Sequence, residues 1–282
     1  MANKRARDRQ LAKLAARRQA ERQAQQRRRS RIVGGVSGAL VIGLAVAGFL
    51  ALTGGGTPKA SPTPSASASP SPVTSVTNLA TIPSKVACGA TAPKGAAGRK
   101  PQFPSPPPSK IDPSKTYTAT IATSCGDIVV KLDPADTPIA VNNFVFLAHQ
   151  GFYDGLWFHR DAPGFVIQGG DPLGTGTGGP GYGFTIETNK KLTFTDHAYL
   201  LAYANNGQPN SNQSQFFLTV GKQSGLDPPN GPYTAFGEVV KGQDVVDTIN
   251  GLKTTDNGQG EKSLPLEAVY IDSVTIDEQK KG

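Results

Sequence analysis

Between Ile32 and Leu52 the chain runs for 21 residues without a charged side chain. Coiled as a helix, that run is about 31 Å long, enough to cross the hydrocarbon core of a bilayer. Such a segment divides the chain, because a domain with an aqueous surface must be built from the residues after Leu52. Basic residues crowd its amino-terminal side only. Twelve of the 29 Lys and Arg and two of the 21 Asp and Glu lie in Met1–Arg31, so this tail carries +10 and the rest of the chain −2. The positive-inside rule then places residues 1–31 in the cytoplasm and everything after Leu52 outside, the topology of a single-pass cell-membrane protein. Ala45-Val46-Ala47 has the look of a signal-peptide cleavage site, but the apolar run and the basic segment before it are both long, which favours an uncleaved anchor. The tail reads as a topology signal, with a basic helix lying on anionic lipid as the alternative. The pI of about 9.5 belongs to the tail, so a nucleic-acid-binding domain loses its main support.

Residues 53–84 turn to Gly, Pro, Ser, Thr and Ala, with Lys59 as the only charge. Apolar residues are too few here to offset the entropy of ordering, and the Ser-Pro and Thr-Pro pairs make a semi-extended linker. Residues 85–115 form a lead-in with a second proline cluster, Pro101 to Pro113, that either lies against the next domain or prolongs the spacer. The chain's two cysteines are Cys88, in this lead-in, and Cys125. An oxidising exterior favours a disulfide between them over two free thiols, worth about 3 kcal/mol on the loop-entropy model. With no CxxC and no paired histidines, no metal site is expected.

Residues 116–277 are the size of one domain, and 278–282 form a short tail. Tyr117–Ala122 and Gly126–Leu132 alternate around Ser124-Cys125-Gly126 as a hairpin does. Thr137 followed by Pro138 predicts a capped helix whose apolar face carries Ile139, Val141, Phe144, Val145, Leu147 and Ala148 and which stops before Gly151. Further strands are expected at 157–159, 165–168, 199–204, 215–219, 233–239 and 269–276, with a short helix at 243–249. Many strands, two helices and no regular βα alternation predict a mostly β domain, a closed or nearly closed antiparallel barrel.

Two stretches stand out. In Trp157–Pro172, Val166 and Gln168 share one face of a strand while Ile167 takes the other. In Leu201–Thr219, Gln215 and Phe217 share a face opposite Phe216, after an Asn/Gly/Pro loop that offers exposed backbone groups. Between them, Gly174, Gly176 and Gly179 satisfy GxGxxG, but Pro180 follows at once and no helix is expected, so a nucleotide turn is rejected in favour of a rim loop. Asn212-Gln213-Ser214, formally a glycosylation sequon, reads as loop architecture, and His159 as a packing or orienting residue.

Phe158-His159-Arg160, Pro163-Gly164-Phe165, Gln168-Gly169-Gly170-Asp171-Pro172 and the second block closely resemble the cyclophilin family of peptidyl-prolyl cis-trans isomerases, over roughly residues 116–277. The resemblance implies an eight-stranded antiparallel barrel capped by two helices, with no cofactor and no metal, working as a monomeric domain on proline-containing peptides and unfolded or exported proteins. It puts Arg160, Gln168 and Asn205 in catalytic positions, and Phe165, Val166, Ala204, Gln215, Phe217, Leu226 and Tyr233 around the substrate. Thr177 and Asn206 fall near a secondary pocket. The chain departs from the family's usual methionine at Val166, tryptophan near Gly225 and histidine at Tyr233, and has a short insertion at Pro228–Asn230 and an extra Gln208. The missing tryptophan argues for weak binding of cyclosporin-like ligands. The reading from a different class is a proline-segment binding module or holdase that uses the same groove without turnover.

Overall fold

The computed structural model describes residues 81–96, 100–228 and 231–280. The expected cytoplasmic tail, the apolar span and most of the linker lie outside the described residues. Among the described residues no helix is long and apolar enough to cross a membrane.

In chain order the elements are β1 (Lys115–Thr123), β2 (Gly126–Leu132), α1 (Pro138–His149), β3 (Arg160–Ala162), β4 (Val166–Gly169), β5 (Leu200–Tyr203), β6 (Phe216–Thr219), β7 (Ala235–Lys241), α2 (Gln243–Asn250), β8 (Thr254–Asp256), β9 (Lys262–Pro265) and β10 (Ile271–Lys280). Eight strands form one sheet in the order β10-β1-β2-β7-β5-β6-β4-β3, with every neighbouring pair antiparallel. Strands β8 and β9 form a separate hairpin. The sheet's edge strands, β3 and β10, are linked through the segments that precede them. Gly155 N donates to Ile271 O and Ile271 N to Leu156 O, both at 2.7 Å, and Phe158 N donates to Val269 O at 3.0 Å.

The pleat sorts the side chains. Ile121, Ile128, Val130, Ile167, Leu201, Phe216 and Phe236 point into one main core with the apolar face of α1. Phe144 of α1 meets Phe216 edge-on at 5.8 Å and lies 5.4 Å from Phe236. Val166, Leu200, Ala202, Phe217 and Ala235, from the same strands, face the other way into a second cluster.

Three local expectations change. The strand expected at 157–159 begins instead at Arg160, and Trp157 makes only an isolated bridge to Tyr270. Trp157 packs with Ala268, Tyr270, Ile82 and Val86, which couples it to the lead-in and to Ile82 at the end of the expected linker. Thr137 does not cap α1, because its hydroxyl turns back to donate to Asp133 O at 2.9 Å. The Glu187 carboxylate takes its place, accepting from Ile139 N at 3.2 Å and Ala140 N at 2.8 Å, where an anion also suits the helix dipole. The β8–β9 hairpin is unforeseen, since its Gly- and Asn-rich turn breaks the alternation that marks a strand pair.

The lead-in lies against the domain. Cys88 and Cys125 form a disulfide with their Cα atoms 5.2 Å apart, and Ala87 N and Ala268 N bond to Ala268 O and Lys85 O.

Asn250, the last residue of α2, fixes that helix to β3. Its amide donates to Asp161 Oδ1 at 2.5 Å and to Ala162 O at 3.0 Å, while its oxygen accepts from Gly164 N at 2.7 Å. The other Asp161 oxygen is buried without a partner. Burial pushes the Asp161 carboxyl up to about 7 against the opposing pull of Asn250 and Arg160. A raised acid binds its proton more tightly in the folded chain, so its contribution is present below about pH 4 and is lost as the pH rises through about 7. Asp161→Asn should therefore gain stability relative to the parent as pH rises, by up to about 4 kcal/mol at pH 8. Urea unfolding at pH 5 and pH 8 measures this, and an equal difference at both values would refute it.

Candidate active site

The site lies over the second apolar cluster, where β3, β4, β6 and the following loops meet. Cross-strand register puts Arg160 opposite Gln168 and Gln168 opposite Phe217. The pleat then turns Val166 and Phe217 to the same side, away from the main core. Phe165 packs on the edge of this cluster with Ala204 and Tyr233, and Leu226 closes it from the turn Ser224–Leu226. Tyr233 stands edge-on to Phe217 at 5.4 Å, and Phe194 stacks beside the same ring at 6.1 Å. The result is an aromatic and aliphatic floor.

A line of polar groups borders this floor. Arg160 Nε and Nη2 donate to the two oxygens of Glu261 at 2.9 and 2.7 Å. Arg160 Nη1 lies 3.4 Å from Gln168 Oε1, Gln168 Nε2 donates to Gln215 Oε1 at 3.1 Å, and Gln215 Nε2 donates to Gly178 O at 2.9 Å. The guanidinium also sits 5.8 Å from the centre of the Phe165 ring. Burial works against the Glu261 carboxylate, but the hydrogen bonds and charge of Arg160 outweigh it and hold the group below its ordinary value. A guanidinium has five N–H donors. Three are engaged here, and two remain for a bound molecule.

The residues expected in catalytic and substrate-lining positions thus converge, with different kinds of contact. Asn205 commits its side chain to the loop: its amide donates to Asn212 Oδ1 and Pro232 O, and its oxygen accepts from Gly207 N. That leaves its backbone as the part that can face a ligand. Asn212 of the sequon is fully buried and bonded to Thr234 and Thr185, which agrees with an architectural role. Thr177 lies on the glycine loop with its hydroxyl 2.8 Å from that of Thr175, and Asn206 accepts from Gln208 N in the Asn/Gly/Pro loop. Pro229 and Asn230 of the insertion lie outside the described residues.

His159 is buried, and neither ring nitrogen has a hydrogen-bond partner. Burial lowers it to about 4, so at neutral pH it is an uncharged packing group. Glu261 and Phe194 were not foreseen. Phe194 sits in a polar stretch with no periodicity, and Glu261 lies in the turn of the unrecognised hairpin; neither carries a local signal.

Comparison with known proteins bears on the family of the chain. A family model described as cyclophilin type peptidyl-prolyl cis-trans isomerase/CLD matches residues 118–276. The chain is 46% identical over 182 residues to peptidyl-prolyl cis-trans isomerase A of Mycobacterium tuberculosis, covering 58% of this chain and 94% of that protein. It is 46% identical over 176 residues to peptidyl-prolyl cis-trans isomerase B of Streptomyces anulatus, covering 56% and 95%. A Cryptosporidium parvum cyclophilin type isomerase, solved in the presence of the dipeptide Ala-Pro, superposes with a TM-score of 0.51 at 32% identity, covering 57% of this chain and 98% of that one. The family model over residues 118–276 and the relatives at 46% identity place the chain in the cyclophilin-type peptidyl-prolyl cis-trans isomerase family.

Proposed function

We propose that the chain accelerates rotation about X-Pro bonds by a non-covalent mechanism in which Arg160 stabilises the twisted amide. The observation that carries this reading is the free edge of the Arg160 guanidinium, held beside the Val166–Phe217 floor. Amide resonance opposes rotation by about 18–20 kcal/mol. Twisting the bond localises a lone pair on the proline nitrogen, and a donor aimed there stabilises the twisted state more than the planar one. Phe165, Val166, Phe217, Leu226 and Tyr233 would hold the proline ring out of water. Gln168, Gln215 and the backbone of Ala204 and Asn205 would hold the flanking amides, and Thr177 and Asn206 would border a neighbouring pocket. No proton moves covalently, so the neutral His159 is not required as an acid or base.

Glu261 enters this reading as a positioning residue. By taking Nε and one Nη2 hydrogen, it sets the plane of the guanidinium and leaves the remaining donors on the pocket side. A bidentate pair of this kind costs little reorganisation when charge develops in the bound amide.

The same reading extends to place and context. The sheet is read as closing into a barrel, with the bonds between residues 155–158 and 269–271 as its seam. The domain is read as held outside the cell membrane by Ile32–Leu52, where exported chains would be its substrates. An oxidising exterior is compatible with the Cys88–Cys125 disulfide. Protease added to intact cells should cleave the domain and spare the tail if this topology holds; a domain protected until the membrane is broken would refute it.

Two substitutions test the chemistry. Arg160→Ala should lower kcat/KM on an Ala-Pro peptide by about 10²–10³-fold, the loss expected for one preorganised donor. Binding of the peptide should persist, and unchanged exchange by NMR would remove Arg160 from the mechanism. Glu261→Gln should keep one acceptor oxygen but lose the charge and the second acceptor, lowering kcat by about tenfold through a looser guanidinium. Glu261 is depressed, so its contribution is present at neutral pH and is lost as pH falls through its folded value. The parent's kcat should accordingly decline at acid pH, and the variant's should be flat over that limb; parallel profiles would rule out the positioning role.

A further inference from the structure

The glycine loop that runs from Gly174 to Gly181 has little stiffness of its own, because glycine surrenders the most backbone freedom on being ordered. It nevertheless presents Gly178 O to Gln215 inside the site. The next two carbonyls are taken from the opposite side by the lead-in. Gln102 Nε2 donates to Gly179 O at 3.0 Å, and Phe103 N donates to Pro180 O at 2.8 Å. Three consecutive carbonyls of one loop are thus held between an active-site glutamine and the segment that precedes the domain.

The fit on the lead-in side is close. A Cβ at Gly181, where φ is +98°, would lie 2.8 Å from Phe103 O, so any other residue would push the two backbones apart. Phe103 is wedged edge-on against Phe146 of α1 at 4.9 Å and against Tyr182 at 6.5 Å. The segment is fastened at both ends. Ahead of Phe103 are the Cys88–Cys125 disulfide and the bond from Lys100 Nζ to Asp154 O. After it, Asn142 accepts from Lys110 N at 2.8 Å and donates to Pro108 O at 3.2 Å. A spacer needs none of these attachments.

We infer that Gln102 and Phe103 are specificity-determining positioning residues of the isomerase: through Gly179 and Pro180 they hold the rim loop against Gln215 and so set how the enzyme discriminates between residues that precede the proline. The inference rests on the groove assigned above. Through Gln215, which in that groove would hold an amide flanking the proline, the loop would bear on the residues before the proline and not on the rotating bond. Loosening it should therefore weaken peptide binding and blur selection while leaving the chemical step intact.

The test uses the full chain and a set of X-Pro peptides that differ in the two residues before proline. Gln102→Ala is an exposed substitution that keeps the fold, and Phe103→Leu and Phe103→Ala grade the wedge. For the preferred peptide, Gln102→Ala should raise KM by roughly 2- to 10-fold, the range expected from one lost hydrogen bond, and Phe103→Ala, which keeps its backbone bond to Pro180 but loses the ring wedge, should raise it in the same direction. Both should narrow the kcat/KM ratio between best and worst peptides, with kcat within about twofold of the parent and Phe103→Leu in between. Hydrogen exchange at residues 174–181 should quicken in step. If Gln102→Ala leaves both the peptide ratios and the exchange of 174–181 at parental values, the inference is overturned, even if Phe103→Ala proves too unstable to purify. If Phe103→Ala lowers the unfolding temperature with unchanged peptide ratios, the segment is only structural and the inference also fails. Absence of turnover in the parent chain would count against the assigned groove instead.

Discussion

Everything at the site depends on the pleat of β4 and β6. Two adjacent antiparallel strands put Ile167 and Phe216 on one side and Val166 and Phe217 on the other. The first pair is locked into a core with α1, and because alternate residues are rigidly related by the strand geometry, the second pair inherits that rigidity. A pocket floor exposed to a peptide would otherwise lack neighbours on its open side. Here the register is held from beneath, and a slip of one residue would exchange floor for core.

On that floor the polar groups form a continuous chain rather than a set of independent side chains. It begins at Glu261 in the β8–β9 turn, passes through Arg160, Gln168 and Gln215, and reaches Gly178 in the rim loop. The next two carbonyls of that loop continue it to Gln102 and Phe103. The elements at its ends are the separate β8–β9 hairpin and the amino-terminal lead-in, neither of which belongs to the eight-stranded sheet. The sheet supplies the floor, and the appendages orient what stands on it. Each member bonds to the next, which is how a polar network can sit beside an apolar pocket without a large desolvation cost.

Much of this was legible in the residues. The alternation in β1, β2, β4 and β6 marked both faces correctly, because side-chain period alone decides them. Pro138 marked the start of α1, although the cap came from Glu187, 47 residues and more away from the amides it binds. Arg160, Gln168, Gln215 and Phe217 were identified through two long motifs that resemble a known family. The β8–β9 hairpin was not legible: its strands are three and four residues long, too short for a periodic signal. Glu261 was hidden with it, and Phe194 was hidden in a loop whose path is set by Asp227 accepting from Phe194 N and Thr195 N.

The sequence by itself determined the mostly β character of the domain, the two faces of the central strands and the residue types that line the candidate site. These follow from composition, period and motif, which are local properties of the chain. Only the tertiary structure decided that the lead-in binds the domain instead of extending the spacer, that Glu261 grips Arg160 from 101 residues away, and that Gln102 and Phe103 reach the rim loop. Such contacts depend on where loops end in space, and loop paths are set by hydrogen bonds between residues far apart in sequence, which no local pattern encodes.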